Sequence, residues 1–367
     1  MKKKWLFPIL LTALLIGCSN NVEPTENFVV GVKNVNGETV QVLNTTVFLR
    51  TYSKKAFNKL FPTYTSIIQR VHKESDRYNQ YNDYSEIYNL NKDKQLSNAS
   101  DEVLTMLNNV IELSELTDGK FNPAIGPLID IWSPLFNNGT NNDPSAADIE
   151  DALTKVPSSP LSDYIKIENK NVQYQNLDLE LDLGAYAKGF ALEVANEAFK
   201  DDENPLMIYA GGSSIILKGT KPYAEGNWII DIDNPDNYLS SVAQLYLKGT
   251  HAISTSGDYQ KYFLNSEGLR RHHILNPHTG YPATNYRSIT IYSDRRADIL
   301  DALTTALFNC ETDQEFVGLI DKVEEHYELD IEFVYVKKDG NSNYLGVSSG
   351  AKEVIKNPKL EVREITC

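Results

Sequence analysis

Asp301 and Thr305, one helical turn apart in ADILDALTTALFNC, put a carboxylate and a hydroxyl oxygen on the same side of a helix. Magnesium takes hard oxygen ligands of this kind alongside phosphate oxygens. Asp298 competes for the role. The plainer alternative is a threonine bonding its own helix and an aspartate favouring the helix dipole. Lys188 lies in the first turn of a second helical run, where a cation opposes the dipole unless an anion sits between. The alternative there is a solvated lysine. His272, His273 and His278 are three of the six histidines, gathered within RRHHILNPHTGYPAT. Histidine suits proton transfer near neutral pH, although a solvated loop or an adventitious metal site would look the same. Ser254, Thr255, Ser256 and Gly257 cluster hydroxyls and N–H groups able to hold phosphate oxygens.

The elements that must position these groups follow from periodicity. Leu177, Leu179, Leu181 and Leu183 alternate with acids, which predicts a half-buried strand. After Gly184 the period becomes helical through Ala187, Phe190, Ala191, Val194, Ala195 and Ala198, so a strand turns into a helix that aims free N–H groups at one point. Lys54 to His72 reads as an amphipathic helix that Pro62 should bend or divide. Ser100 caps a further helix to Leu116. DGKFNPAIGPLIDIWSP reads as an ordered loop leading to an apolar wall, and Asn137 to Pro144 as a mobile excursion. Asn36-Gly37 offers a hairpin turn, and Gly211-Gly212 either a hairpin turn or a close approach to a ligand. The tyrosine-rich segment Asp76 to Asn91 suits a planar heteroaromatic ligand or is an ordinary surface loop.

The chain opens MKKKWLFPILLTALLIGCSN, three lysines and an apolar run too short to span a bilayer, closed by Gly17-Cys18. This resembles a bacterial lipobox. Residues 1–17 are then a signal peptide, Cys18 a lipid-modified N-terminus, residues 18–28 a tether, and 29–367 one domain held at the extracytoplasmic face of the cell membrane. Loss of residues 1–17 removes three lysines and no acid, taking the net charge from -15 to -18. Such a surface argues against nucleic acid. No CxxC or HExxH is present, and Cys310 reads as a small buried hydrophobe.

DLGAYAKG, AGGSS, STSGDY, HILNPHTGYP and DALTTAL, with the earlier TDGKFNPAIGPLIDIW and YSEIYNLN, resemble in order the motifs of the ApbE family of FAD:protein FMN transferases. The resemblance runs from about residue 45 to about residue 310. It implies an α+β fold related to T-folds, with mixed and antiparallel sheets and flanking helices around an FAD cleft. It also implies a reaction in which FAD is split, FMN is joined by a phosphoester to a Thr or Ser of an acceptor protein, and AMP leaves. Magnesium is the implied metal, held by Asp301, Thr305 and a carbonyl near Ala185. His273 becomes the candidate base and Lys188 the cation near the phosphates. Tyr81 and Ser85 to Asn91 match the flavin-side loop, while Asp182, Gly211 and Gly212 match positions lining the nucleotide, with Ser256 beside them. The implied acceptors carry a D-G-x-[S/T]-G-A-[S/T] motif.

This chain departs from the family pattern at Ala185, at Ser213-Ser214, at Asn276, where Asp is usual, and at His278, where Arg is common. An FAD pyrophosphatase and a non-catalytic FAD-binding lipoprotein are the competing functions. Asp339-Gly340-Asn341-Ser342-Asn343 fails the acceptor pattern after its fourth place, which argues against this chain being its own acceptor.

Overall fold

The computed structural model describes residues 28–31, 42–136, 141–157 and 160–366. Strands β1 (Phe28–Gly31) and β2 (Val47–Thr51) come first, then helices α1 (Lys54–Ser75) and α2 (Glu86–Asp93) and strand β3 (Gln95–Leu96). Helices α3 (Asp101–Leu116), α4 (Gly126–Trp132) and α5 (Ala146–Lys155) lead to strands β4 (Ile165–Glu168) and β5 (Asn171–Tyr174). Helix α6 (Ala187–Ala198) precedes β6 (Leu206–Ala210), β7 (Ser214–Lys218), β8 (Asn227–Asn234), β9 (Asn237–Lys248) and β10 (His251–Gly257). The short β11 (Tyr262–Leu264) and β12 (Arg270–His272) are followed by β13 (Tyr286–Ser293), α7 (Ala297–Phe308) and α8 (Asp313–Tyr327). Strands β14 (Glu332–Asp339) and β15 (Ser342–Val347), helix α9 (Ser349–Val354) and strands β16 (Ile355–Lys356) and β17 (Glu361–Glu364) close the chain.

Nine strands form one sheet in the order β1-β2-β6-β7-β10-β13-β14-β15-β17, and only its last pair is parallel. Alternation along these strands sends side chains to two different cores. Ile216, Ala252, Ile291 and Tyr335 enter the core shared with the helices, while their neighbours Leu217, Ile253, Tyr292 and Val336 enter a second core. The three-stranded sheet β16-β9-β8 contributes Trp228, Ile230 and Leu245 to that second core. A strand buried on both faces loses the polar half of its pattern, and all eight residues of β13 are buried. The fold is α+β, with antiparallel and mixed sheets.

Four local expectations change. Leu177 to Leu183 forms no strand. Leu177 is exposed, whereas Leu179, Leu181 and Leu183 are buried, each worth about 1.5–3 kcal/mol. Side chains and loops take up the backbone instead: Asn91 bonds both the N–H and the carbonyl of Leu181, Asp182 N donates to Pro123, and Gly126 N donates to Glu180. A period of two marks an extended chain with one buried side, not a ladder.

Pro62 does not divide α1. Pro62 and Asn58, whose carbonyl loses its helical donor, both face solvent. GPLIDIW is a helix with Pro at its start, where the missing N–H does no harm. It packs Leu128 and Trp132 with Ile149 and Leu275, and Trp132 Nε1 donates to the Gly280 carbonyl at 2.8 Å. Ser254 to Gly257 is strand β10, laddered to β7 and β13, so its N–H groups are not a free cluster. The Asn36-Gly37 turn, residues 137–140 of the expected excursion, and Cys18 lie outside the described residues. Among the described residues no helix is long and apolar enough to cross a membrane.

Candidate active site

Helices α6 and α7 cross at Gly189. A Cβ there would lie 2.2 Å from the Ala297 carbonyl oxygen and 2.7 Å from Asp301 Cβ, so the close approach depends on glycine. It brings the Gly189 N–H to Asp301 Oδ2 at 2.9 Å. On the other carboxylate oxygen, Oδ1, Asp301 accepts from Ser214 Oγ at 3.0 Å and Ser254 Oγ at 3.3 Å. Lys188 Nζ stands 3.3 Å from Oδ2 and donates to the Gly184 carbonyl at 3.1 Å. A buried carboxylate on α7 is thus satisfied by helix α6 and two strands of the central sheet.

The threonine that bonds its own helix is Thr304, whose Oγ1 donates to the Asp301 carbonyl at 2.8 Å and accepts from Ser256 Oγ at 2.9 Å. Thr305, the next residue, is half-buried and lies one turn beyond Asp301. Asp298 is engaged elsewhere. Arg296 grips both its oxygens at 2.9 and 3.0 Å, and Asn109 adds a bond at 3.1 Å. Its role is to fix the start of α7.

The residues present fit a hard cation. Asp301 and Thr305 offer oxygens on one side of α7. Gly189 stands in the first turn of α6, where an N–H has no acceptor inside the helix, and its N–H goes to Asp301, so the Ala185 carbonyl just before the helix is not tied to it. Lys188 already places a positive charge on Asp301.

His273 follows β12. Its N–H donates to the Lys261 carbonyl at 3.2 Å, and its Nδ1 lies 3.4 Å from the same oxygen. A carbonyl only accepts, so Nδ1 carries the proton in this contact and Nε2 keeps its lone pair. The surrounding protein, then the charges of Lys261 and Lys188, push the pKa below the ordinary histidine value, to about 4. The ring itself is exposed, so water offsets part of this, but the direction leaves a neutral imidazole at neutral pH. The neighbouring His272 is different: it is buried and bonds the Ala283 carbonyl. Asn276 accepts the N–H groups of His278 and Thr279 at 2.8 and 3.3 Å, a turn-capping role that an amide fills without charge.

Asp182 joins this centre through Gly184, whose N–H it accepts at 2.8 Å and whose carbonyl receives Lys188. Tyr78 Oη reaches Asp182 at 3.5 Å. Arg77, absent from the sequence reading, is the buried cation beneath: it bonds Glu180 at 2.6 Å, Asp130 at 3.0 Å and the Gly126 carbonyl at 3.2 Å. Its sequence signal was a lone arginine entering a tyrosine-rich segment opposite the acids of LDLELDL. Ser214 and Ser254 were also missed as partners of Asp301, since only register across β7 and β10 pairs them.

Other expected contacts turn inward. Tyr81 Oη donates to Asp76 at 2.7 Å, Ser85 Oγ accepts the Tyr81 N–H at 2.6 Å, and Asn91 binds Leu181 and Tyr174. These three shape the loop and hold the extended 177–183 segment. Gly211 and Gly212 form the β6–β7 turn with φ of 62° and 75°. Gly211 packs on Thr45, whereas a Cβ on Gly212 would meet open space.

The ApbE family model matches residues 41–328. The chain belongs to the ApbE family. A FAD:protein FMN transferase of Vibrio cholerae is 25% identical over 308 residues, covering 83% of this chain and 87% of its own length. The transferase of Klebsiella pneumoniae is 31% identical over 229 residues, 62% of this chain and 66% of its own. The crystal structure of an ApbE protein from Thermotoga maritima superposes with a TM-score of 0.71 at 25% identity, covering 90% of this chain and 99% of that one. The flavin transferase ApbE of Vibrio cholerae, at 22% identity and a TM-score of 0.68, shares the fold over 90% of this chain and 99% of its own. Within the matched residues, the glycine of AKG and the first residue of DALTT are in direct contact, as Gly189 and Asp301.

Proposed function

We infer that this chain is an FAD:protein FMN transferase. The observation that carries the reading is the convergence of Asp301, Lys188 and the α6 N-terminus, with the Lys188 charge also acting on His273, in a chain of the ApbE family. A hydroxyl oxygen of the acceptor attacks the phosphorus on the FMN side of the pyrophosphate. The bond from that phosphorus to the bridging oxygen breaks, AMP leaves with that oxygen, and the hydroxyl proton passes to His273 Nε2. Transfer between two oxygens needs charge neutralisation and alignment more than covalent help. Lys188 and the α6 N-terminus supply positive potential, and Lys261 holds the imidazole with Nε2 free. Magnesium, when held by Asp301, Thr305 and the Ala185 carbonyl, would neutralise pyrophosphate charge.

The acceptor is a protein bearing the D-G-x-[S/T]-G-A-[S/T] pattern, modified at Thr or Ser. Anchoring through Cys18 puts the reaction on the extracytoplasmic face of the cell membrane. This part of the reading rests on the sequence of residues 1–28. Following AMP, free FMN and acceptor-bound FMN together tests the function. AMP with free FMN and no bound flavin would make the chain a pyrophosphatase.

A further inference from the structure

The β11–β12 hairpin both holds His273 and shows apolar side chains to solvent. Its anchor is Phe263, packed on Trp132 and Phe136 with ring centroids 6.4 and 5.9 Å away. Tyr262, Leu264 and Leu269 are 42%, 54% and 46% exposed. A single exposed leucine calls for no explanation, but three apolar residues on one short ribbon beside a base mark a contact surface. Tyr262 is also held in place: the Arg270 guanidinium lies 4.3 Å from its ring and is tied to Asp258 at 2.8 Å.

We propose that this hairpin is the docking surface for the acceptor protein. It takes a polypeptide segment whose apolar side chains flank the Ser or Thr that receives FMN, an assignment that rests on the transferase reading above. The occupant follows from continuity with the base. A hydroxyl giving its proton to His273 Nε2 must come within hydrogen-bond distance of that ring, and the Lys261 carbonyl, one residue before Tyr262, holds the ring at the open end of the hairpin. The chain carrying the hydroxyl therefore passes the open end of this ribbon, within reach of its exposed side chains. The groups that the transferase reading gives to the nucleotide, Asp182 and Lys188, lie on other elements.

The test uses the triple variant Tyr262→Ser, Leu264→Ser, Leu269→Ser, and Leu264→Ser alone. The probe is a purified, fluorescently labelled acceptor domain carrying the motif, its accepting residue replaced by alanine so that binding is read without chemistry. The triple variant should bind it at least tenfold more weakly and Leu264→Ser several-fold, with FAD affinity retained. With the reactive domain, the loss should fall on KM for the acceptor. Weakened binding supports the docking surface even where neither protein transfers FMN, a result that would remove the transferase reading separately. Equal affinity of variant and unaltered protein, or no affinity of either, overturns the proposal. So does a defect confined to sedimentation with anionic lipid vesicles, which would assign the patch to the membrane.

Discussion

Gly189 donates its backbone N–H to Asp301 Oδ2 at 2.9 Å across the α6–α7 crossing, and 112 residues of chain separate the two. Lys188, one residue before the donor, lies on the same carboxylate oxygen. Whatever moves this crossing moves the cation and the carboxylate together.

Gly189→Ala separates packing from propensity. In an exposed helix the change would stabilise by about 1 kcal/mol. Here the new Cβ meets the Ala297 carbonyl at 2.2 Å, so the helices must part. Urea unfolding should show a loss of roughly 1–3 kcal/mol, with transfer falling as well. A gain in stability would contradict the described crossing.

Asp301→Asn keeps the shape and removes the charge. An amide nitrogen cannot accept, so with the oxygen kept toward Gly189 the Ser214 and Ser254 hydroxyls must turn from donating to accepting, and Lys188 loses its counter-charge. Transfer should fall by roughly a hundredfold or more, and titration with magnesium should give little or no activation. Unchanged magnesium dependence would place the metal elsewhere.

The fold class was legible in the sequence, and so was the meeting of Lys188 with Asp301, but not most of what surrounds them. Lys188, Asp301 and Thr305 stand out because their types are unfavourable or conspicuous where they occur, whereas the choice of His273 among three histidines came from the family resemblance. Arg77 does not, and the bonds of Ser214 and Ser254 to Asp301 were not legible, because they come from register across the sheet and from loops that meet only in three dimensions. The LDLELDL alternation marked the buried Leu179, Leu181 and Leu183, failed at the exposed Leu177, and implied a pairing that does not form: Asn91 and Pro123 hold its backbone, and no local pattern encodes them. The Pro62 helix persists because solvent accepts what the proline removes.

His273→Ala should leave FAD affinity within a few-fold while lowering transfer by roughly a hundredfold or more. In the unaltered protein the acid limb of kcat/KM reports the free-enzyme base. With its pKa pushed down, His273 stays neutral to lower pH, so that limb should fall below pH 6.5 and vanish in the variant. Loss of FAD binding, or an unchanged acid limb, would refute its assignment as the base.

Glu74 gives a stability prediction away from the centre. Its buried carboxyl receives the Glu86 N–H at 3.0 Å. Burial, and then repulsion from Glu86 and Glu102, outweighs that bond and raises its pKa to about 7. The folded state holds this proton more tightly than the unfolded chain, so the contribution is full below about pH 4.5 and lost as pH rises through about 7. Glu74→Gln should therefore gain roughly 1–3 kcal/mol relative to the unaltered protein between pH 5 and pH 8. A constant difference by thermal unfolding would show that Glu74 titrates normally.

Intact-mass spectrometry of an acceptor domain tests the central claim most directly. Residues 19–367 are incubated with FAD, magnesium and a purified domain carrying the D-G-x-[S/T]-G-A-[S/T] motif. The account predicts a mass gain equal to one esterified FMN, matched mole for mole by AMP and absent with Asp301→Asn. An unmodified domain beside intact, bound FAD would contradict it and leave a protein that holds the dinucleotide without cleaving it.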